Sequence, residues 1–154
     1  MTLIEILVVM CIITSLAGMV IIGAFAASRW GQVKATTALL EKLAQSLEQY
    51  KAQNRMYPPV DPLDTVSPLN LNDAEQVKQS TFVLWVALER DGNFFKDDTG
   101  AKAPGDAFHT WYYYQDKWNR PLVYLCRPPF NLFKLTSYGP DLVQGTGDDI
   151  VKEP

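Results

Sequence analysis

The sequence predicts an α+β protein. One long N-terminal helix, membrane-spanning in its first half, packs on a small C-terminal domain with a three-stranded antiparallel sheet and an acidic tail loop. Three observations predict this. Residues 6–27 carry no Asp, Glu, Lys or Arg. Apolar residues then recur at helical spacing as far as residue 53. From Phe108 onward, short aromatic or β-branched runs alternate with Asp, Asn, Gly and Pro. At 154 residues, the chain has room for one anchor helix and one small domain. Four regions follow: a transmembrane segment at 1–28, an amphipathic continuation of the helix at 29–54, connecting loops with a second helix at 55–107, and the sheet with its tail at 108–154.

The uncharged run is 22 residues long, and a helix needs about 20 to cross the hydrocarbon core of a bilayer. Eleven of the 22 are Ile, Leu, Val or Phe, which together favour insertion by about 3–7 kcal/mol. Glu5 opposes this by at most about 3 kcal/mol at mid-membrane, and by less near a helix end. Insertion therefore wins. Glu5 either lies hydrated at the headgroup level or takes a partner. The α-amino group of Met1 is present in every copy. A helix does not easily fold Glu5 back onto its own amine, but the amine of an axially offset neighbouring copy can reach it.

Ser28-Arg29-Trp30 marks the membrane exit, because Arg and Trp suit the interface and Arg29 can snorkel. Val33, Leu40, Leu43, Leu47 and Tyr50 then form a stripe, with Lys34, Glu41, Lys42, Glu48 and Lys51 on other faces. One helix is thus expected from near Thr2 to about Gln53, on the order of 80 Å long. Gly18 and Gly23 permit close helix packing or a local stretch of unwound backbone. Asn54 to Pro59 stops the helix, since Pro58 biases Tyr57 away from helical angles.

Residues 60–71 read as loop. Asn72 or Asp73 caps a second helix to about Arg90, with Phe82, Val83, Val86 and Ala87 as its inner face and Trp85 and Leu88 at the margins. Residues 96–105 read as an exposed loop. The three expected strands are 108–114, 122–126 and 130–137, with Asp116 to Pro121 as the turn between the first two. Trp30 is assigned to the membrane interface and Trp85 to the core.

The stretch from Thr136 to Ile150 places Asp141, Asp148 and Asp149 among Gly and Pro. Such a loop either gathers oxygen around hard Ca²⁺, which takes six to eight oxygen ligands, or is a solvated acidic turn with no metal. Zn²⁺ is disfavoured because the loop has no Cys or His. The spacing is not that of an EF-hand. A single Gly-Thr-Gly-Asp-Asp copy at residues 145–149 cannot stack into a Ca²⁺-binding solenoid.

Composition excludes other classes. A net charge of −3 with no basic block argues against nucleic acid as a partner. Cys11 in the apolar helix and Cys126 near the other end of the chain are not expected to pair. A secretory signal peptide would show a basic start and a cleavage site, and neither is visible, so the segment is expected to stay. The only histidine, His109, alternates with Trp111 and Tyr113 on a predicted strand and suits packing or surface exposure. No nucleophile–base pair or phosphate-cradling glycine loop is present, so no enzyme is predicted. The Trp111-Tyr112-Tyr113-Tyr114 cluster suits sheet packing, with stacking on a sugar or base as the lesser use.

Met1-Thr2-Leu3-Ile4-Glu5, opening the uncharged run, resembles the mature N-terminus of the type IV pilin superfamily. That family usually begins with Phe. Tyr50 to Pro58 resembles the end of the long helix in the major pseudopilins of type II secretion, and Trp118-Asn119-Arg120-Pro121 resembles their Trp-Gly-x-Pro turn. The tail resembles theirs as well, with Gly139-Pro140-Asp141, a Gly-rich loop and Asp148-Asp149-Ile150. Three features of many relatives are absent: a Pro at Ile22, a Gly at Asn119 and a disulfide stapling the tail.

The resemblance implies a subunit of a helical homo-oligomeric filament, a pseudopilus that drives protein export. It implies Met1 as a processed and N-methylated end rather than a start codon, and Glu5 as an assembly residue. It implies Ca²⁺ in the tail, with Asp141 and Asp148 supplying side chains, Asp149 ligating or supporting, and Tyr138 and Val143 offering carbonyls. The implied partners are a prepilin peptidase, minor pilins and an inner-membrane assembly platform. The implied location is a single pass in the inner membrane with a periplasmic domain, and a filament in the periplasm or at the cell surface. The alternatives are a surface pilus subunit for adhesion, motility or DNA uptake, and a non-polymerising anchored binding module.

Overall fold

Helix α1 runs unbroken from Leu3 to Asn54, through both Gly18 and Gly23, so the backbone does not unwind there. The computed structural model describes residues 3–60, 73–97, 100–108 and 110–154, without the side chains of 21–26. The anticipated roles of Met1, Asn72 and His109, and the loop at 61–71, lie outside the described residues. The chain divides into two compact units, Met1–Gln32 and Val33–Pro154, with the boundary inside α1.

In the first unit, the stretch Leu3–Val20 has a mean hydropathy of 2.5 and none of it is buried. It is long and apolar enough to cross a membrane. Its two hydroxyls are satisfied by the helix itself. Thr14 donates to Met10 O at 2.9 Å, and Ser15 donates to Ile12 O at 2.9 Å. Neither leaves an unpaired polar group that would oppose transfer into lipid.

The second unit is built on the remainder of α1. Leu39, Leu40, Leu43, Ala44 and Leu47 are buried in its core, while Val33 and Tyr50 are half-buried. The helix ends where Arg55 takes a left-handed φ of 65° and donates its N–H to Lys51 O at 2.7 Å. Tyr57 then turns inward, fully buried, and donates its hydroxyl to Glu48 Oε1 at 2.6 Å.

Helix α2 spans Ala74–Trp85 and continues as one π-helical turn, Val86–Arg90. Asp73 is its N-cap, accepting from Glu75 N–H at 3.0 Å. Its buried side chains are Val77, Ser80, Thr81 and Leu84, followed by Leu88 in the π turn. The expected inner face was Phe82, Val83, Val86 and Ala87, and these are only half-buried. The helix is rotated from that expectation because its small polar side chains go inward. Ser80 Oγ accepts the Tyr124 N–H at 3.3 Å and so covers a sheet edge. Trp85 is half-buried against Tyr112, with ring centroids 5.3 Å apart.

Strand β1 (Lys102–Pro104) pairs antiparallel with β2 (Tyr112–Tyr114), and Ala103 faces Tyr113. A separate three-stranded antiparallel sheet has the order β3 (Val123–Cys126), β4 (Phe133–Ser137), β5 (Ile150–Lys152). In it, Tyr124 faces Leu135 and Leu135 faces Lys152.

The expected single sheet of strands 108–114, 122–126 and 130–137 is therefore corrected in three ways. Residues 102–104, read as loop, form a strand, and their Pro sits on a two-stranded edge. Phe108, Thr110 and Trp111 do not extend a strand, because Asp106 accepts from the Thr110 N–H at 2.9 Å and also from its hydroxyl, which closes a turn. The third strand of the main sheet is β5, in what read as the tail. The fully buried Leu47 tests this core. Leu47→Ala should cost about 2–5 kcal/mol of domain stability, measured by denaturant unfolding of the full chain in detergent. A loss under about 1 kcal/mol would mean that α1 does not close the core.

Candidate functional sites: the N-terminal helix and the acidic tail loop

Glu5 lies in the first turn of α1 with its side chain exposed. A carboxylate there is favoured by the unsatisfied N–H groups at the helix start. The flanking side chains are apolar and open, with Ile4 68% and Leu7 55% exposed.

The tail loop connects β4 to β5. It leaves the sheet through Tyr138, which is half-buried, and Gly139, which has φ 68°. A Cβ at Gly139 would sit 2.4 Å from Asp148 O, so the two ends of the loop can approach only with glycine there. The Tyr138 hydroxyl is pushed above the usual tyrosine range, first by burial and then by the charge of Asp149.

The loop's acids are held by its own backbone. Asp141 Oδ1 accepts from Val143 N–H at 2.8 Å, and this turn places Leu142 at φ 62°. Asp148 Oδ2 accepts from Asp141 N–H at 3.2 Å. Asp149 Oδ2 accepts from Gly145 N–H at 2.7 Å, while its Oδ1 is buried without a hydrogen-bond partner. The Thr146 hydroxyl lies 2.5 Å from Asp148 Oδ1 and 3.0 Å from Val143 O. That charge-assisted bond is the first cause holding the Asp148 carboxyl below the usual range.

Of the predicted site residues, Val143 and Asp148 therefore meet at Thr146, Asp141 is bonded to both of them, and Asp149 accepts from Gly145. The donors are all oxygen, which suits a hard cation. The partnerless Asp149 Oδ1 is a further free oxygen. Among the described residues, no group of three or more His, Cys, Asp or Glu side chains converges as a metal site.

Sequence reasoning missed the residue that anchors this loop. Asp116 is 3% exposed. Its Oδ1 accepts from Trp118 and Arg120 N–H, both at 2.9 Å, and its Oδ2 accepts from Ser137 Oγ at 2.7 Å. Ser137 Oγ in turn accepts from Gly139 N–H at 3.4 Å. The carboxylate thus ties the turn at 116–121 to the first residues of the tail. Asn119 takes φ 61° in that turn, a left-handed angle that Asn tolerates. Asp two residues before a Trp-Asn-Arg-Pro turn was the available signal. Cys11 is exposed and Cys126 buried, and no disulfide joins them.

Comparison with protein-family models, with curated proteins and with solved structures finds no match to this chain.

Asp116→Ala should cost about 3 kcal/mol or more, since three donors lose one buried acceptor, and Asp116→Asn should cost less. Thermal unfolding of the two variants checks the order. Because Asp148 titrates low when folded, its stabilising contribution is present above the usual carboxylate range and is lost as pH falls through its folded value. Thr146→Val should raise the Asp148 pKa toward the ordinary value. An NMR titration showing no rise would remove Thr146 as the cause.

Proposed function

We propose that the chain is a structural subunit that polymerises into a type IV pilin-like filament, most like the major pseudopilin of a type II secretion system, and so drives protein export. The observation that carries this reading is the first half of α1. Leu3–Val20 is apolar and wholly unburied, yet it belongs to the same unbroken helix that enters the core of the second unit. Such a surface is satisfied by lipid before assembly and by copies of itself afterwards. The Thr2-Leu3-Ile4-Glu5 opening supports the choice of family. No enzymatic role is proposed.

In this reading a prepilin peptidase exposes and methylates Met1. The subunit waits as a single pass in the inner membrane with its domain in the periplasm. An assembly platform and minor pilins then draw it into the filament. Glu5 pairs with the Met1 amine of a neighbour, which compensates its charge in a low-dielectric helix bundle. The Asp141, Asp148 and Asp149 side chains, with the carbonyls of Tyr138 and Val143, would hold Ca²⁺. A bound cation neutralises the clustered carboxylates and fastens a tail that has no disulfide. The all-oxygen donors and the partnerless Asp149 Oδ1 support that assignment.

Deleting the gene should abolish secretion of exported enzymes while leaving surface filaments unchanged. Loss of surface filaments with secretion intact would make the protein a surface pilus subunit instead. Glu5→Ala should remain membrane-inserted but yield few filaments, and normal filaments from it would sink the pairing. Chelation should lower the melting temperature of the folded domain by roughly 5–10 °C. An unchanged temperature with and without Ca²⁺ removes the metal.

A further inference from the structure

A groove of about 430 Å³ opens at one end of the three-stranded sheet. Leu125, Leu132 and Phe133 are its apolar lining, and Arg127, Lys134, Glu153 and Pro154 line it as well. Leu132 is 71% exposed, although it is large and apolar. Lys134 is paired with Glu153 at 3.4 Å, but both side chains are about half-exposed, and such a surface pair is readily exchanged.

The tail loop lies at the other end of the same sheet. Strand β4 begins in the groove at Phe133 and ends at Ser137, where the loop starts. Four residue steps of extended chain separate the two by roughly 14 Å. The loop presents an apolar pair to solvent, Leu142 and Val143, the latter 54% exposed. Leu142 is kept at φ 62°, a conformation that strains a branched side chain. Residues 138–149 contain three Asp and no Lys or Arg. One net negative charge would remain even with a divalent cation bound.

Both patches are apolar, and they sit at opposite ends of one sheet; the loop carries three Asp, while the groove carries Arg127 in addition to the mutually neutralising Lys134–Glu153 pair, a net charge of the opposite sign. We propose that the tail loop of one copy docks in the groove of a second copy, with Leu142 and Val143 against Leu125 and Leu132, and the loop carboxylates facing Arg127 and Lys134. This rests on the reading of the chain as a filament subunit, and it names the surface by which the folded domains join. A contact between different patches is head-to-tail, and it builds an open filament when its rotation does not close a ring.

The test is a disulfide trap in the full chain. Leu132→Cys and Val143→Cys are combined in a Cys11→Ser background, and sheared filaments are oxidised. Both positions are exposed, and circular dichroism confirms folding. The expected result is a ladder of disulfide-linked dimers, trimers and larger species that collapses with reductant, while either single variant stops at dimer. Positions 132 and 143 lie beyond opposite ends of β4, which separates them by more than the roughly 7 Å Cα span of a disulfide, so two cysteines within one copy cannot bridge. Filaments that assemble without a ladder overturn the docking contact alone. A folded chain that forms no filaments overturns the polymer reading with it. As a second measure, Arg127→Glu with Lys134→Glu should lower filament yield roughly tenfold without changing the domain's melting temperature. An unchanged yield overturns the docking contact.

Discussion

The rest of the structure depends on an apolar surface that one copy of the chain cannot bury. Along Leu3–Val20 every side chain stays open, including Leu7, Ile12, Ile13 and Leu16. Burying a side chain of this kind is worth roughly 1.5–3 kcal/mol, so water is a poor environment for the segment. The helix backbone is satisfied internally, and so are Thr14 and Ser15. Lipid or a bundle of like helices therefore suits it equally well, and the proposed life of the subunit is a transfer from the first to the second.

The same helix organises the folded domain. Leu39, Leu40, Leu43 and Leu47 pack with Tyr57, Tyr114, Tyr124 and Leu135 into a single core. Three tyrosines are fully buried there, and two of their hydroxyls find identified partners. Tyr57 donates to Glu48, and Tyr124 donates to Pro58 O at 2.8 Å. A chain without a disulfide must secure its C-terminal part by other means. Asp116 does so through Ser137, and the pairing of β5 with β4 does so through the ladder. The tail is therefore held at both of its ends before any cation is considered.

Much of this was legible, and the misses share a cause. The long helix, the stop at Asn54, the cap at Asp73 and the left-handed Asn119 each follow from local chemistry: an uncharged run, a proline, an Asx side chain, a residue tolerant of positive φ. The strands were less legible. β1 and β5 have three residues each, too few to show an alternation. Trp111 was read into a strand because of its aromatic neighbours, whereas Asp106 turns the chain at Thr110. Apolar spacing places Phe82, Val83, Val86 and Ala87 on the inner face of α2, but Ser80 points inward, where it accepts from the Tyr124 N–H at a sheet edge, and Thr81 is buried beside it. In the tail, the three acids and the glycines were visible. Their partners were not, since Thr146 and Ser137 carry no signal until the loop closes on itself.

By itself the sequence determined that an apolar helix precedes a small α+β domain and that the tail is acidic. Composition and short-range periodicity act on each residue wherever the chain goes. Only the tertiary structure decided which strands share a sheet, which face of α2 is buried, and that Asp116 joins two turns. These depend on contacts between residues far apart in sequence, for which the local pattern is silent. The opposite placement of the acidic loop and the apolar groove beside Arg127 belongs to the second kind. It exists only because β4 and β5 pair, and so sets the two patches at the two ends of one sheet.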